Sequence, residues 1–199
     1  QNYTISQVGP DDVPYDECTP EQMVALARQH HLPTIAYTYT EPLTWIEYMT
    51  DIARLAHGAG LYNVLVSAGY VNEQPLRDLA PLLDAANVDL KSFSDETYRQ
   101  YNRASLEPVL RTLTILRKAG VHLEVTLLLI PGINTDDAGL HRMFRWLVDH
   151  DMADCALHIS RFFPMYKMQE APATPLADMR RAEAIAYDEG IAHVFLGNV

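Results

Sequence analysis

The chain has 199 residues, of which 48% are hydrophobic and 21% are charged, and its formal net charge at pH 7 is -11. This length and composition suit one globular domain, which we predict over residues 1–199. The 15 Lys and Arg residues are scattered along the sequence, whereas nucleic-acid binding needs clustered positive charge. We therefore expect no nucleic-acid partner.

No apolar run reaches the length of a membrane-spanning helix, since the longest candidate, VTLLLIPG, contains Pro131 and Gly132, and no signal peptide opens the sequence. We therefore predict a cytoplasmic protein without a membrane partner. The two cysteines, Cys18 and Cys155, lie far apart and form no C-x2-C motif. Their spacing predicts neither a zinc site nor a disulfide framework.

Helical and strand patterns alternate along the chain. Apolar residues at helical spacing predict the helices, and short β-rich apolar runs predict the strands. In chain order the predicted elements are helix 18–31, strand 32–39, helix 42–60, strand 62–70, helix 73–86 with a kink or division at Pro81, strand 87–93, helices 95–102 and 106–120, strand 121–132, helix 136–151, strand 155–163, a polar loop 164–175, helix 176–190 and strand 191–197. This order predicts an α/β fold with parallel strands and right-handed crossovers.

Two α/β architectures fit such an order, a (β/α) barrel and a doubly wound open sheet. A doubly wound nucleotide-binding fold usually has a glycine-rich turn after its first strand. Neither G-x-G-x2-G nor G-x4-G-K-[ST] occurs in this sequence. We therefore predict a partial (β/α) TIM-like barrel, in which functional groups lie at the carboxyl ends of the strands.

Polar residues occur in or just after nearly every predicted strand. Because the carboxyl ends of barrel strands share one rim, we expect these residues to lie near one another. They are Thr38, Thr40 and Glu41, then Ser67, Gly69 and Tyr70, then Asp89 and Lys91, then Glu124 and Thr126, then His158, Ser160 and Arg161. The sequence therefore predicts a functional site at this rim.

Several of these residues have a structural interpretation beside the functional one. Glu41 is followed by a proline typical of a first helical turn, so it can simply complement the helix dipole. Asp89 and Lys91 project from the same side of their strand, which predicts either a structural ion pair or part of a site. Glu124 needs a cationic partner, which we expect to be Lys91 or Arg161. A histidine on the apolar strand 155–163 is either a satisfied core residue or a functional one.

Five ordered motifs resemble those of radical S-adenosylmethionine enzymes, namely TYTEP, VSAGY, VDLKSF, VTLLLIPGIN and HISRFFPMYKM. The resemblance covers essentially the whole chain. It extends to the pyruvate formate-lyase-activating-enzyme-like branch and, with the terminal FLGNV, to the radical enzyme of the AmmeMemoRadiSam system. It implies an oxidoreductase in which a 4Fe-4S cluster reduces bound S-adenosylmethionine. The resulting 5'-deoxyadenosyl radical abstracts hydrogen from a substrate, and activation of a glycyl-radical enzyme is one such reaction.

The resemblance also implies which residues contact the cofactor. YTEP stands where the family has Gly-Gly-Glu-Pro, so Glu41 and the Thr40 carbonyl are expected to accept hydrogen bonds from the ammonium group. Asp89 and Lys91 are expected at the ribose and the carboxylate. The implied cofactor-binding set is Tyr39, Thr40, Glu41, Ser67, Gly69, Asp89, Lys91, Thr126, His158 and Arg161.

The family's C-x3-C-x2-C cluster loop does not occur in this sequence, although QNYTISQ resembles the segment that follows its last cysteine. We therefore expect the cluster cysteines and the first barrel strand to precede Gln1, and the 4Fe-4S cluster not to be bound by this chain. Two alternatives stay open, a cluster-free binding or scaffolding barrel and, more weakly, a Schiff-base lyase that uses Lys91. Besides the small-molecule cofactor, a protein substrate or an accessory protein is an expected partner.

Overall fold

A computed structural model of the protein describes residues 8–199, so the segment QNYTISQ, residues 1–7, lies outside the described residues. The strands are β1 Thr34–Tyr37, β2 Tyr62–Ser67, β3 Ala85–Asp89, β4 His122–Leu129, β5 Ala156–Arg161 and β6 His193–Gly197. The longer helices are α1 Pro20–Gln29, α2 Ile46–Gly58, α3 Glu73–Leu79, α4 Glu107–Lys118, α5 Asp137–Asp149 and α6 Leu176–Asp188.

The six strands form one sheet in the order of the sequence, from β1 to β6, and every neighbouring pair is parallel. Because β1 and β6 do not pair with each other, the sheet of the described residues is not closed. The predicted partial barrel with parallel strands is therefore confirmed. The prediction that a further strand precedes Gln1 stays a prediction.

Local sequence signals explain where the helices begin. Thr19 caps α1 through a capping box with Gln22, and Pro20 occupies the first turn, where its missing N–H costs no hydrogen bond. Asp136 caps α5 by accepting a hydrogen bond of 2.7 Å from the backbone nitrogen of Gly139. These caps satisfy N–H groups that a helix leaves without intrahelical partners.

Burial alternates along the strands and separates the two faces of the sheet. In β4, Leu123, Val125, Leu127 and Leu129 are buried and belong to the core that the helices cover. The residues between them point to the opposite face, called the inner face below, where Glu124 and Thr126 are partly exposed. The inner face therefore offers partly exposed polar groups above an apolar core.

Two predicted boundaries around β3 are wrong. Ala85 and Ala86, predicted as the end of a helix, pair with β2 and β4, and Lys91 lies beyond the last strand residue. The predicted division at Pro81 is confirmed, because α3 ends at Leu79 and a 3-10 turn follows over Ala80–Leu82.

The predicted helix 95–102 also differs. It consists of a short α-helical turn, Asp95–Thr97, and a π-helical turn, Tyr98–Asn102, that ends at Arg103 in the left-handed conformation. Within residues 8–199, no helix is long and apolar enough to cross a membrane.

Candidate functional site

Glu41 lies just after β1, at the start of a 3-10 turn that leads into α2. Its Oε1 accepts hydrogen bonds from the Ser67 hydroxyl at 2.7 Å and the Leu43 backbone nitrogen at 3.1 Å, and its Oε2 accepts one from the Ala68 backbone nitrogen at 2.7 Å. A carboxylate has about four acceptor positions. Glu41 is thus held firmly and keeps acceptor capacity for a ligand.

The two residues before Glu41 have an unusual backbone conformation. The Tyr39–Thr40 peptide bond is cis, and Tyr39 has a φ of 27°, in a region that glycine adopts without steric cost. Both residues are exposed. The resemblance implies glycines at these two positions in the family, and the φ of Tyr39 lies in the region that glycine favours.

Ser67 and Gly69, at the end of β2, support the carboxylate from behind. The Gly69 backbone nitrogen donates to Ser67 Oγ at 2.8 Å, which directs the hydroxyl proton toward Glu41. Gly69 is buried, and a Cβ on it would lie 2.9 Å from Val88 Cγ1. Ser67 is therefore a positioning residue, and Gly69 is required for close packing.

Asp89 and Lys91 form an ion pair of 2.7 Å between Oδ2 and Nζ, and their side chains are 40% and 37% exposed. The Lys91 backbone nitrogen donates to the hydroxyl of Tyr98 at 3.1 Å. Burial raises the pKa of Tyr98 to about 12, with a smaller contribution from nearby Asp89. Tyr98 therefore stays protonated.

A cavity of about 520 Å³, called the first cavity, brings these groups together. Its lining contains Glu41 from the segment after β1, Ser67 from the end of β2, and Asp89 and Lys91 from the end of β3. Arg103, in the left-handed conformation, adds a second cation. Two carboxylates and two cations give the first cavity balanced charge, which suits a ligand that itself carries charges of both signs.

A second cavity of about 470 Å³ lies on the other side of the ion pair, because Asp89 and Lys91 line both cavities. Thr126 and Arg161 from the predicted set line this second cavity. The loop 164–175 contributes Met165 and Lys167 among other residues. The polar loop predicted from the sequence therefore forms one wall of the second cavity.

The predicted partner of Glu124 is wrong. Glu124 Oε2 lies 2.9 Å from His158 Nε2 and 3.2 Å from Asn87 Nδ2, whereas Lys91 pairs with Asp89 and Arg161 donates to the Thr174 carbonyl. Asn87 Oδ1 in turn accepts from the Thr126 hydroxyl at 2.8 Å. His158 stacks on Phe195, with ring centroids 5.4 Å apart.

The ten predicted residues thus separate into groups. Tyr39, Thr40, Glu41, Ser67, Asp89 and Lys91 line the first cavity, and Asp89, Lys91, Thr126 and Arg161 line the second. Gly69 packs behind Glu41, and His158 lies on the inner face beside Glu124. Sequence reasoning missed Tyr98, which was predicted inside a regular helix over 95–102, and Arg103, which directly follows that helix.

The described residues do not supply an iron-sulfur site. Cys155 is buried, and burial raises the pKa of its thiol to about 11, which disfavours the thiolate that a cluster needs. Among residues 8–199, no group of three or more His, Cys, Asp and Glu side chains is arranged to hold a metal ion.

Comparison with known proteins places the chain in a family. The model of the Radical SAM superfamily matches residues 1–144. Uncharacterized protein MJ0808 of Methanocaldococcus jannaschii is 40% identical over 199 residues, which are 100% of this chain and 59% of that protein. The chain therefore spans about three fifths of that relative's length.

Two solved structures share the fold. A domain of pyruvate-formate lyase-activating enzyme from Bacteroides vulgatus has a TM-score of 0.68 and 15% identity, covering 82% of this chain and 98% of that domain. SuiB from Streptococcus suis, bound to S-adenosylmethionine, has a TM-score of 0.72 and 7% identity, covering 93% of this chain and 44% of SuiB. The family resemblance carried by the strand-end motifs is confirmed, and the chain belongs to the Radical SAM superfamily.

Proposed function

We propose that this chain binds S-adenosylmethionine as part of a radical S-adenosylmethionine enzyme. The observation that carries the proposal is the convergence of Glu41, from the segment after β1, with Asp89 and Lys91, from the end of β3, on the first cavity. The superfamily match over residues 1–144 supports the same cofactor. When it accepts an electron, S-adenosylmethionine supplies a 5'-deoxyadenosyl radical for hydrogen abstraction.

The charges of the first cavity fit this cofactor. We assign Glu41 to the ammonium group, because its carboxylate is already oriented by Ser67 and Ala68 and keeps acceptor capacity. Arg103 and Lys91 are the cations available to the carboxylate of the methionyl part. We assign Asp89, which lines both cavities, to accept hydrogen bonds from the ribose hydroxyls.

This assignment places the adenosyl part toward the second cavity. Thr126 pairs with Asp89 in the sheet register and lines the second cavity, so we assign it to contact this part of the cofactor. The ion pair also disfavours the Schiff-base alternative, since an ammonium group held by a carboxylate at 2.7 Å is a poor nucleophile.

The experiment compares S-adenosylmethionine binding by the wild-type protein and by Glu41→Gln, measured by calorimetry. The amide loses the negative charge and turns an NH2 group toward donors, so affinity should fall at least about tenfold. Glu96→Gln, an exposed acid outside both cavities, is the matched control and should bind as wild type does. Equal affinity in Glu41→Gln and wild type would contradict the proposal.

Reductive cleavage needs a second test. The gene is read upstream of the Gln1 codon for an in-frame C-x3-C-x2-C motif, and protein containing that motif is reconstituted with iron and sulfide. After reduction it should release 5'-deoxyadenosine. Binding of S-adenosylmethionine without any such product would instead favour the non-catalytic binding barrel.

Activation of a glycyl-radical enzyme is the finer reaction that the resemblance implies. The similar domain from Bacteroides vulgatus carries the name of such an activating enzyme, but at 15% identity the likeness shows the fold alone. The reaction is tested by incubating the reconstituted protein with a candidate glycyl-radical enzyme. A glycyl-radical signal in the electron paramagnetic resonance spectrum would support it.

A further inference from the structure

The second cavity carries an excess of positive charge. Its lining contains one carboxylate, Asp89, and three cations, Lys91, Arg161 and Lys167. Asp89 is already paired with Lys91. In the part of the chain that the structure describes, neither Arg161 nor Lys167 forms an ion pair with a carboxylate. Two positive charges therefore face this cavity without compensation.

Both cations are held in place at the cavity. Arg161 Nε donates to the Thr174 carbonyl at 2.7 Å, and the guanidinium lies 4.8 Å from the centroid of the Phe163 ring. The Lys167 ammonium lies 5.2 Å from the centroid of the Tyr166 ring. Such contacts orient a cation without neutralising it. The other N–H groups of Arg161 remain available as donors.

The support for Arg161 continues into the core. Thr174 is fully buried, and its hydroxyl accepts from the Phe162 backbone nitrogen at 3.1 Å and donates to the Leu129 carbonyl. The Thr174 backbone nitrogen donates to the Phe162 carbonyl at 3.0 Å. The end of the loop at Thr174, which holds Arg161, is thereby fastened to β4 and to the residue after β5.

The proposed cofactor does not account for these charges. Its carboxylate is already assigned to Arg103 and Lys91 in the first cavity, and its adenosyl part has no anionic group. An anion bound in the second cavity would gain a favourable electrostatic interaction with both Arg161 and Lys167. In a protein with a net charge of -11, two cations that form no ion pair among residues 8–199 and line one cavity are consistent with recognition of an anion.

The remaining lining is largely apolar. Leu128 and Phe163 are 37% and 46% exposed, and Met165 is 44% exposed, although all are hydrophobic. Ile130 and Met168 extend the same surface. Methionine side chains adapt their shape to a ligand. The cavity therefore combines an apolar wall with two cationic donors, as expected for an anion that carries an apolar body.

We propose that the second cavity binds the substrate, and that this substrate is a small organic anion, a carboxylate or a phosphate ester, with an apolar body. The inference rests on the proposed function for the position of the cofactor. The Asp89–Lys91 pair separates the two cavities, so such a substrate lies directly beside the adenosyl part. An uncharged glycine backbone segment would leave Arg161 and Lys167 unused.

The test is a titration of the protein carrying ¹³C-labelled methionine methyl groups, followed by nuclear magnetic resonance. Benzoate and phenyl phosphate are the anionic probes, and benzyl alcohol is the neutral probe of similar size. The dissociation constants obtained from the shifts of the Met165 and Met168 signals should be at least about tenfold lower for both anions than for the alcohol. The anion with the lower dissociation constant identifies the preferred charged group. Added salt should weaken the binding of both anions.

Variants distinguish anion binding in the second cavity from general electrostatic attraction to the protein. Lys167→Met and Arg161→Gln should each weaken anion binding about fivefold or more, because each removes a positive charge from the cavity. Lys167→Arg keeps the charge and should bind the anions as wild type does. None of these variants should change the binding of the alcohol. Lys118→Met removes an exposed cation outside the cavity and should have no effect. Equal binding of alcohol and anions, or wild-type anion binding by Lys167→Met, would overturn the inference.

The affinity of the wild-type protein for S-adenosylmethionine is measured in parallel. If the cofactor proposal is wrong, the protein will bind the anions but not S-adenosylmethionine. Failure of the substrate inference would appear as normal cofactor binding without preference for anions. The two results are therefore distinguishable in one set of samples.

Discussion

The hydroxyl of Ser67 donates a 2.7 Å hydrogen bond to Glu41 Oε1, joining the end of β2 to the end of β1. Because Ser67 Oγ also accepts from the Gly69 backbone nitrogen, its proton has one preferred direction. The carboxylate is thus oriented before any ligand arrives. Such preorganisation lowers the entropy that binding must overcome.

Ser67→Ala should therefore weaken both the fold and the site. The substitution removes a donor from Glu41 and leaves the buried Gly69 N–H without its acceptor, which should lower the free energy of unfolding by about 1–3 kcal/mol. Denaturant unfolding measures the loss. Ser105→Ala, whose hydroxyl has no hydrogen bond among the described residues, should change it by less than about 0.5 kcal/mol. Equal stability of both variants would contradict this role of Ser67.

The Asp89–Lys91 pair should matter for binding and little for stability. Both side chains are more than a third exposed, so a double-mutant cycle with Asp89→Asn and Lys91→Met should give a coupling of about 0.2–1 kcal/mol in unfolding. S-adenosylmethionine affinity should nevertheless fall at least about tenfold in each single variant. The Asp51–Arg54 pair, at 3.1 Å on α2, offers a control cycle that should leave affinity unchanged. A large stability loss with unchanged affinity would indicate a structural pair.

Asn63→Ala should be strongly destabilising. Asn63 is fully buried, accepts from the Tyr37 hydroxyl at 2.7 Å and donates to the carbonyls of Ala53 and Leu82. Removing the amide leaves the buried Tyr37 hydroxyl without its partner and takes one hydrogen bond each from the Ala53 and Leu82 carbonyls, which should cost about 3 kcal/mol or more in chemical unfolding.

Two comparisons calibrate that loss. Tyr37→Phe removes only one of these hydrogen bonds and should cost about 1 kcal/mol. Asn72→Ala changes an exposed asparagine whose side chain makes no capping hydrogen bond, and should cost less than about 0.5 kcal/mol. A small effect of Asn63→Ala would mean that water or a shifted backbone replaces the amide.

Glu189 should make stability depend on acidic pH. Hydrogen bonds from Arg145 and then from His141 lower the pKa of this carboxyl below its usual value of 4.5. A lowered folded-state pKa means that the unfolded chain takes up the proton first as pH falls. The contribution is therefore complete above the unfolded-state pKa and is lost as pH falls through the folded-state pKa.

Glu189→Gln should accordingly be less stable than wild type at pH 7, with the difference shrinking below about pH 4.5. Thermal unfolding from pH 3 to pH 7 measures this convergence. Glu96→Gln, at an exposed position, should track wild type throughout. A difference that stays constant across this range would exclude Glu189 as its source.

The two cysteines should differ in reactivity. Burial raises the pKa of Cys155 to about 11 and leaves the residue 6% exposed, whereas Cys18 is only partly buried. Iodoacetamide at pH 8 should therefore label Cys18 in the folded protein and Cys155 only after unfolding, as read by peptide mass spectrometry. Comparable labelling of both in the folded state would show that the β5 end of the core opens.

Much of the fold follows from sequence patterns. Apolar runs ending in Glu41, Ser67 and Asp89 predict strands, and helical periodicity between them requires parallel pairing. Helix propensity led to a wrong prediction at Ala85 and Ala86, because alanine favours a helix in isolation. They form the start of β3 because β2 and β4 flank them, and pairing on both sides outweighs an intrinsic preference of well under 1 kcal/mol.

The sequence by itself determined the order of elements, the family and the strand-end positions of Glu41, Asp89 and Lys91, because these depend on periodicity and local motifs. Only the tertiary structure decided that Glu124 meets His158, that Arg103 joins the first cavity, and that Arg161 and Lys167 share the second. Those contacts depend on the register between strands and the path of loops. Both are set by packing between residues distant in sequence, which a linear pattern does not encode.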